Sequence, residues 1–326
     1  MPLNYPNSHH GQNSKLDYNQ PTVSCNSTTI KAQSDKSAQF LIQVMHPKYS
    51  MNDLILSDEV LDSLTTIINA QQCWRKVFTE WDLKSVLGDR QNLFINLYGE
   101  PGTGKTMAAH AIANSLNKDI LCVNYAEIES KYVGETGKNL TELFRYAANS
   151  GVILFFDEAD AFLSKRVTNM NNSTDVSVNQ TRSVLLTLLN DYNGMVIFAS
   201  NFISNYDPAF MRRIQYHVKF ELPNATLRER LWRRYIPAKM PAKVNYTEIA
   251  QKFEKISGSD ISNAVLSAAL KAAKLKLQTI DQTLFEDAIS RILISKEANK
   301  GYTITSRPVT EEYAMTQIKR MEENKI

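Results

Sequence analysis

The stretch Gly99-Glu-Pro-Gly-Thr-Gly-Lys-Thr106 decides the fold of this 326-residue chain. It matches the pattern GxxxxGK[ST], and it lies between an apolar run, Leu93 to Tyr98, and a segment whose apolar residues recur at helical spacing. A strand before the loop and a helix after it form the context in which this pattern makes a phosphate-binding loop. The stretch therefore predicts a nucleotide site inside an α/β domain.

The residue types within the loop suggest how it would hold ATP and Mg²⁺. Gly102 and Gly104 allow backbone amides to turn inward and cradle phosphate at the beginning of a helix. Lys105 would reach the β and γ phosphates, and Thr106 would ligate Mg²⁺. The remaining loop residues that we assign to nucleotide binding are Gly99, Pro101 and Thr103.

The apolar runs around this loop predict an α/β fold of the P-loop NTPase type, with a parallel five-stranded sheet flanked by helices. Short runs rich in β-branched and aromatic residues alternate with helical patterns, which is typical of βα units whose strands are covered on both faces. The predicted strands are Leu93 to Tyr98, Ile120 to Val123, Val152 to Phe156, Met195 to Ala199 and His217 to Phe220. Beyond the turn at Pro223 the pattern is helical throughout, which predicts a small C-terminal lid.

Composition and pattern divide the chain into four parts. Residues 1–39 are rich in Asn, Ser, Gln and Thr, which predicts a flexible, disordered segment because such a chain buries too little apolar surface to order itself. Residues 40–222 form the predicted large nucleotide-binding domain, and residues 223–300 form the helical lid. Residues 301–326 are interpreted as a tail that contains one further helix.

A second chemical element follows the third predicted strand, in the sequence Ile153-Leu-Phe-Phe-Asp157-Glu158-Ala-Asp160. An apolar strand that ends in carboxylates delivers them to the carboxyl edge of the sheet, where ligands bind in open α/β folds. Asp157 would hold Mg²⁺ through water, and Glu158 would orient and polarise the attacking water. Asp160 has the alternative role of supporting the loop.

Two further elements follow in order along the chain. Asn201 ends the fourth predicted strand, where its amide would hydrogen-bond the γ phosphate or the lytic water. Arg212 and Arg213 precede the last strand, and two adjacent arginines suit a finger that reaches a phosphate on a neighbouring subunit. Taken alone, the same pair is also compatible with a basic surface turn.

In this order and spacing, these four elements resemble those of the AAA ATPases over roughly residues 52–294. The resemblance implies that Lys105 and Thr106 belong to Walker A and that Asp157 and Glu158 belong to Walker B. It places Asn201 at sensor 1 and the two arginines at the arginine fingers. It also implies a homo-oligomeric ring, a hexamer, with each ATP site shared between subunits.

The lid and one loop indicate which branch of the AAA ATPases the sequence resembles. The turn Ser257-Gly258-Ser-Asp260 looks like the glycine-x-aspartate turn of the AAA subfamily proper, so Gly258 is assigned to the nucleotide. Lys131, Tyr132, Val133 and Gly134 resemble the pore loop of protein-translocating members, which implies a protein client threaded through the ring. The sequence Gly134-Glu-Thr-Gly-Lys138 and the Asp207-Pro-Ala-Phe turn are similar to those of HORMA-remodelling ATPases. Bacterial members of that group act in antiphage defence.

Bulk properties argue against several other classes of function. The net charge of +3 is too small to favour nucleic acid as the main partner, although the basic stretch from Arg228 to Lys243 keeps open a nucleic-acid motor or loader. A nucleotide-gated scaffold that never hydrolyses ATP is disfavoured by the presence of Glu158. No apolar stretch approaches the length of a bilayer span, and the three scattered cysteines indicate a reducing compartment, so we expect a cytoplasmic protein.

Overall fold

The computed structural model describes residues 27–31, 41–88, 92–123, 135–164, 173–201 and 206–299. Its main feature is a seven-stranded sheet in the order β1-β2-β4-β5-β6-β3-β7. The strands are β1 (Ser27–Lys31), β2 (Leu41–Met45), β3 (Leu93–Gly99), β4 (Ile120–Val123), β5 (Ile153–Phe156), β6 (Met195–Ser200) and β7 (Tyr216–Phe220).

Five neighbouring strands, in the order β4-β5-β6-β3-β7, form the predicted parallel sheet. Every pairing among them is parallel, with β5 between β4 and β6, and β3 between β6 and β7. The prediction of a five-stranded parallel sheet is therefore confirmed for this part of the sheet. Because β3 lies between β6 and β7, the loop after it emerges at the carboxyl edge of the sheet, next to the ends of these two strands.

Strands β1 and β2 extend the sheet in an antiparallel arrangement that the sequence analysis did not predict. β2 pairs with β4, and β1 pairs with β2 from Ser27–Met45 to Lys31–Leu41. The strand Ser27–Lys31 lies inside the segment for which composition predicted disorder, so that prediction is wrong for these five residues. The physical reason is that the open edge of a sheet supplies unpaired backbone groups, which can order a polar strand that has no core of its own.

The helices of the large domain cover both faces of the sheet. They are α1 (Asp58–Arg75), α2 (Leu83–Leu87), α3 (Lys105–Ser115), α4 (Glu135–Ser150), α5 (Asp160–Leu163), α6 (Ser173–Asp191) and α7 (Pro208–Met211), with a 3-10 turn at Met51–Asp53 and a π-helical turn at Lys76–Glu80. Helices α4 and α6 pack on one face, and α1 and α3 pack on the other. Successive residues of one strand enter different cores, as Phe94 and Ile95 do, because strand side chains alternate between the two faces.

A third hydrophobic core lies in the helical part that follows β7. Its helices are α8 (Ala225–Tyr235), α9 (Tyr246–Lys252), α10 (Gly258–Lys274) and α11 (Gln282–Asn299), and a two-stranded parallel sheet joins β8 (Ala242–Lys243) to β9 (Ile280–Asp281). Trp232 and Phe285 are fully buried at its centre, with ring centroids 6.1 Å apart. This separate core is the reason to propose a domain boundary near Pro223. The predicted tail, residues 301–326, lies outside the described residues.

Among the described residues, no helix combines the length and the apolar character that a bilayer crossing requires.

Candidate active site

The glycines of the phosphate loop have backbone conformations that residues with side chains rarely adopt. Gly99 has φ +136°, and a Cβ there would lie 2.0 Å from the carbonyl oxygen of Phe220, its partner on β7. Gly102 and Gly104 have φ +74° and +103°, in the region that favours glycine. The loop therefore has the left-handed backbone that lets N–H groups converge in front of α3.

Lys105 is tied to the loop from the first turn of α3. Its ammonium donates to the carbonyl oxygens of Gly99 (2.7 Å) and Glu100 (3.0 Å) and to Oδ1 of Asn201 (3.2 Å). The residue is only 9% exposed, and burial lowers its pKa, while the charge of Asp157 opposes that shift. These contacts place a cation between the loop and the sensor position, where phosphate oxygens would replace its present acceptors.

The two residues predicted to hold Mg²⁺ meet at the end of β5. Thr106 Oγ1 donates to Asp157 Oδ2 over 3.0 Å, and the backbone N–H of Glu158 donates to Asp157 Oδ1. A hydroxyl and a carboxylate at this separation fit Mg²⁺, which binds through few protein oxygens, phosphates and water. The ion would neutralise negative charge on the transferring phosphate.

Glu158 projects from an unusual backbone position just after this strand. Its φ is +51°, in the left-handed region, and its side chain is exposed. A carboxylate that leaves the end of a buried strand in this way is free to meet a water in the cleft in front of it. Such strained positions are found preferentially at functional sites.

Asp160 holds the sensor residue, which resolves the role left open for it. Its Oδ2 accepts the backbone N–H of Asn201 at 2.9 Å, and the N–H of Ala159 donates to the carbonyl oxygen of Ala199 at 2.8 Å. The turn after β5 is thereby locked to the end of β6. Asn201 is thus positioned from both sides, by Asp160 at its backbone and by Lys105 at its amide.

The lid touches the phosphate loop directly. Ser259 N–H donates to the carbonyl oxygen of Gly102 at 3.2 Å, and a Cβ on Gly102 would lie 2.8 Å from Ser257 Oγ. Gly258 packs beside the same carbonyl and against Leu231. The predicted lid turn therefore closes one side of the nucleotide site.

A cleft of about 1160 Å³ lies in front of the phosphate loop, and its lining includes Gly102, Lys105, Thr106, Asp157, Glu158, Asn201 and Gly258. Part of its wall is apolar and was missed in the sequence analysis, namely Ile55, Leu56, Leu231 and Tyr235. Such a slot suits the flat face of a base. The helical spacing of Leu231 and Tyr235 was a signal for one buried face of α8, but nothing local indicated that this face lies opposite Ile55.

The predicted fingers, Arg212 and Arg213, do not line this cleft, and their surroundings differ. Arg213 is held within its own chain, since its Nε donates to Asn190 Oδ1 (2.8 Å) and its Nη1 to the carbonyl oxygen of Ala209 (2.6 Å). Burial lowers the pKa of Arg213, and the charge of Arg212 adds to that shift. Arg212 is exposed. The structure thus brings neither guanidinium to the nucleotide cleft of the same chain.

The predicted pore-loop residues Lys131, Tyr132, Val133 and Gly134 lie outside the described residues. The segment that contains them joins the carboxyl end of β4 to the beginning of α4.

Comparison with known proteins agrees with this geometry. A model of the ATPase family associated with various cellular activities (AAA) matches residues 95–222. The chain is 33% identical to the 26S proteasome regulatory subunit 4 homolog B of Arabidopsis thaliana over 227 residues, which are 67% of this chain and 51% of that protein. It is 33% identical to the regulatory subunit 6B homolog of Aspergillus niger over 238 residues, 68% of this chain and 55% of the relative. The 6B homolog of Encephalitozoon cuniculi is 34% identical over 209 residues, with coverages of 60% and 53%.

The chain thus spans about half the length of these relatives. The match begins inside β3 and ends just after β7, so it includes the loop, both carboxylates and the sensor strand. This match, together with the phosphate-loop backbone and the order of the strands, identifies residues 95–222 as a P-loop ATPase domain of the AAA family.

Proposed function

We propose that this chain is one subunit of a homo-oligomeric ring, a hexamer, which hydrolyses ATP with Mg²⁺ and remodels or unfolds a protein client. The observation that carries the ring is the composition of the cleft. It is lined by Lys105, Asp157, Glu158 and Asn201, and by Arg230 and Arg234 of α8, but by neither of the predicted fingers, Arg212 and Arg213. The matched relatives are proteasome regulatory subunits, which supports a protein as the client.

The proposed finger is Arg212, and it acts on the site of the neighbouring subunit. Arg212 is exposed, whereas the hydrogen bonds of Arg213 within its own chain suit a residue that fixes the end of α7. A guanidinium lent by a neighbour stabilises the charge that develops during phosphoryl transfer and raises turnover by orders of magnitude. Each ATP site would then be complete only in the ring.

Mixing two inactive variants tests whether the site is shared. Arg212→Ala and Lys105→Met should each be inactive alone, because every site lacks either its finger or its phosphate-binding lysine. In rings mixed at equal amounts, about a quarter of the interfaces would combine an intact Lys105 with an intact Arg212 from the neighbour, so partial ATPase activity should return. Full activity of Arg212→Ala alone would contradict the assignment of the finger.

The segment Lys131 to Gly134 is assigned the role of gripping the client protein and pulling it through the ring. In the sequence this segment lies between β4 and α4, and β4 ends at the same edge of the sheet as the nucleotide site. A ring of tyrosines can grip an extended chain of any sequence by stacking and apolar contact. Movement of this segment during the ATP cycle would pull the client through the pore.

Replacing Tyr132 with alanine should leave ATPase activity within about twofold of the wild type and reduce client unfolding at least about tenfold, because the aromatic grip is lost. The measurement is the loss of fluorescence of a folded fluorescent protein that carries an unstructured tail. Tyr132→Phe keeps the aromatic side chain and serves as the control, and we expect client unfolding to persist in it. Unimpaired unfolding by Tyr132→Ala would rule out threading by this residue.

The alternative function, a nucleic-acid motor or loader, depends on the basic stretch from Arg228 to Lys243. Arg228 is buried, and it donates to the carbonyl oxygens of Ala250 (2.8 Å) and Pro223 (2.7 Å). Arg233 and Arg234 pair with Glu229 and Asp53. Much of this charge is therefore engaged within the chain, which favours the protein client. Strong, salt-dependent binding to DNA would reverse this preference.

A narrower form of the proposal is that the client is a HORMA protein in bacterial antiphage defence, with the ring in the cytoplasm. It rests on the sequence after Gly134 and on the Asp207-Pro-Ala-Phe turn. The matched relatives add no support for it. A client captured by the hydrolysis-deficient variant Glu158→Gln would identify the partner and decide the point.

A further inference from the structure

Helix α11, the last helix in the described part of the chain, is linked to the lid turn by an ion pair. Lys296 Nζ lies 2.6 Å from Asp260 Oδ2, and the side chain of Asp260 is only 6% exposed. The same oxygen accepts the backbone N–H of Ser257 at 2.7 Å and its hydroxyl at 2.8 Å. A carboxylate this deeply buried is costly unless an opposite charge and hydrogen bonds satisfy it. Lys296 supplies that charge.

The carboxylate in turn determines where α10 begins. Ser257 and Asp260 form a reciprocal capping box, in which each side chain bonds the backbone N–H of the other residue. This arrangement holds the turn Ser257 to Asp260 in one conformation. Movement of the carboxylate would therefore move the turn.

The turn packs tightly against the phosphate loop. Ser259 N–H donates to the carbonyl oxygen of Gly102, and the space that a Cβ on Gly102 would need is taken by Ser257 and Ser259, each 2.8 Å away. A displaced turn would either lose this hydrogen bond or push the loop. The backbone amides expected to face phosphate belong to the same few loop residues.

We propose that Lys296 is a positioning residue for nucleotide binding, acting through Asp260 and the lid turn on Gly102. The affinity of the ATP site then depends on a side chain of α11 that lines no part of the cleft. Any partner or chain segment that engages α11 near Lys296 would change nucleotide affinity by the same route. The inference rests on the ATP site of the ATPase domain and is independent of the client.

The test compares two lysine variants of the full chain. Lys296→Met removes the charge but keeps the length of the side chain, and Lys252→Met does the same to a second ion pair of α11. Lys252 lies 2.6 Å from Glu286, and its carboxylate partner caps no helix next to the phosphate loop. The dissociation constants of a fluorescent ADP analogue and of ATP with Mg²⁺ are measured for both variants, together with thermal unfolding without nucleotide.

We expect Lys296→Met to weaken the binding of both nucleotides about tenfold, since coupling through such a network changes affinity by this order. Lys252→Met should bind like the wild type, and Lys296→Arg should restore binding because it keeps the charge beside Asp260. Equal affinities of Lys296→Met and Lys252→Met would overturn the proposal, as would failure of arginine to restore binding. A wild-type chain that binds no nucleotide would instead refute the ATP site itself.

A double variant covers the case in which Lys296→Met does not fold because Asp260 is left unpaired. Asp260→Asn combined with Lys296→Met removes both charges, so no buried charge lacks a partner. We expect this variant to bind nucleotide as weakly as Asp260→Asn alone, because the lysine acts through the carboxylate. If the methionine weakens binding further when Asp260→Asn is already present, Lys296 does not act through Asp260, and the proposal is wrong.

Discussion

Replacing Glu158 with glutamine is expected to slow ATP turnover by about 100-fold or more, while nucleotide still binds. Glutamine keeps the shape of the side chain but cannot accept a proton from the attacking water. The phosphates would be held by the loop and Lys105, with Mg²⁺ at Thr106, and none of these groups bonds to the Glu158 side chain in the described part of the chain. The measurements are phosphate release and the dissociation constant of ATP.

A matched control for this variant is Glu221→Gln. Glu221 also lines the cleft, but it pairs with Lys219 at 2.6 Å, so its loss should leave turnover within about twofold of the wild type. Undiminished hydrolysis by Glu158→Gln would refute Glu158 as the group that activates water. If the ring proposal is right, the ATP-loaded Glu158→Gln variant should also stay assembled and retain its client.

The second large effect is expected from Lys105→Met, which should reduce both ATP affinity and turnover by about 100-fold or more. The ammonium is the charge that bridges the loop carbonyls and Asn201, and it lies where the β and γ phosphates would bind. Methionine fills nearly the same volume, so the 9%-exposed site should remain packed. Calorimetric titration with ATP and an ATPase assay measure the two losses.

Lys118→Met is the control for this second variant, because Lys118 follows the same helix α3 but lines no part of the cleft. Its ATP affinity and turnover should match those of the wild type. Normal thermal unfolding of Lys105→Met without nucleotide would show that the loss comes from the missing charge. Tight ATP binding by Lys105→Met would contradict the role of the loop as a phosphate cradle.

Much of the catalytic centre could be predicted because its motifs are local. The loop from Gly99 to Thr106 needs particular residues within eight positions, and Asp157 and Glu158 follow directly after an apolar strand. Parallel strands bring their carboxyl ends to one edge, so the sequence placed Asn201 at the edge that carries the phosphate loop. The pairing of β6 with β3, which brings Asn201 Oδ1 to 3.2 Å from Lys105 Nζ, came from the structure. The parallel part of the sheet followed from the same runs of apolar residues.

The added strands β1 and β2 could not be predicted in this way. The segment Ser27–Lys31 has a polar composition that favours disorder, and its order depends on pairing with a neighbouring strand. Composition reports only what a segment can bury by itself. The amino-acid composition of a segment does not show whether the open edge of a sheet is available to pair with its backbone.

The sequence by itself determined the phosphate loop, the acidic pair and the parallel sheet, because each depends on backbone geometry and periodicity over a few residues. Only the tertiary structure decided that Asp160 holds Asn201, 41 residues away, and that Arg213 bonds within its own chain. It also decided that Lys296 reaches the lid turn against Gly102. These contacts join residues whose separation along the chain carries no periodic signal, so only the packing of the folded chain brings them together.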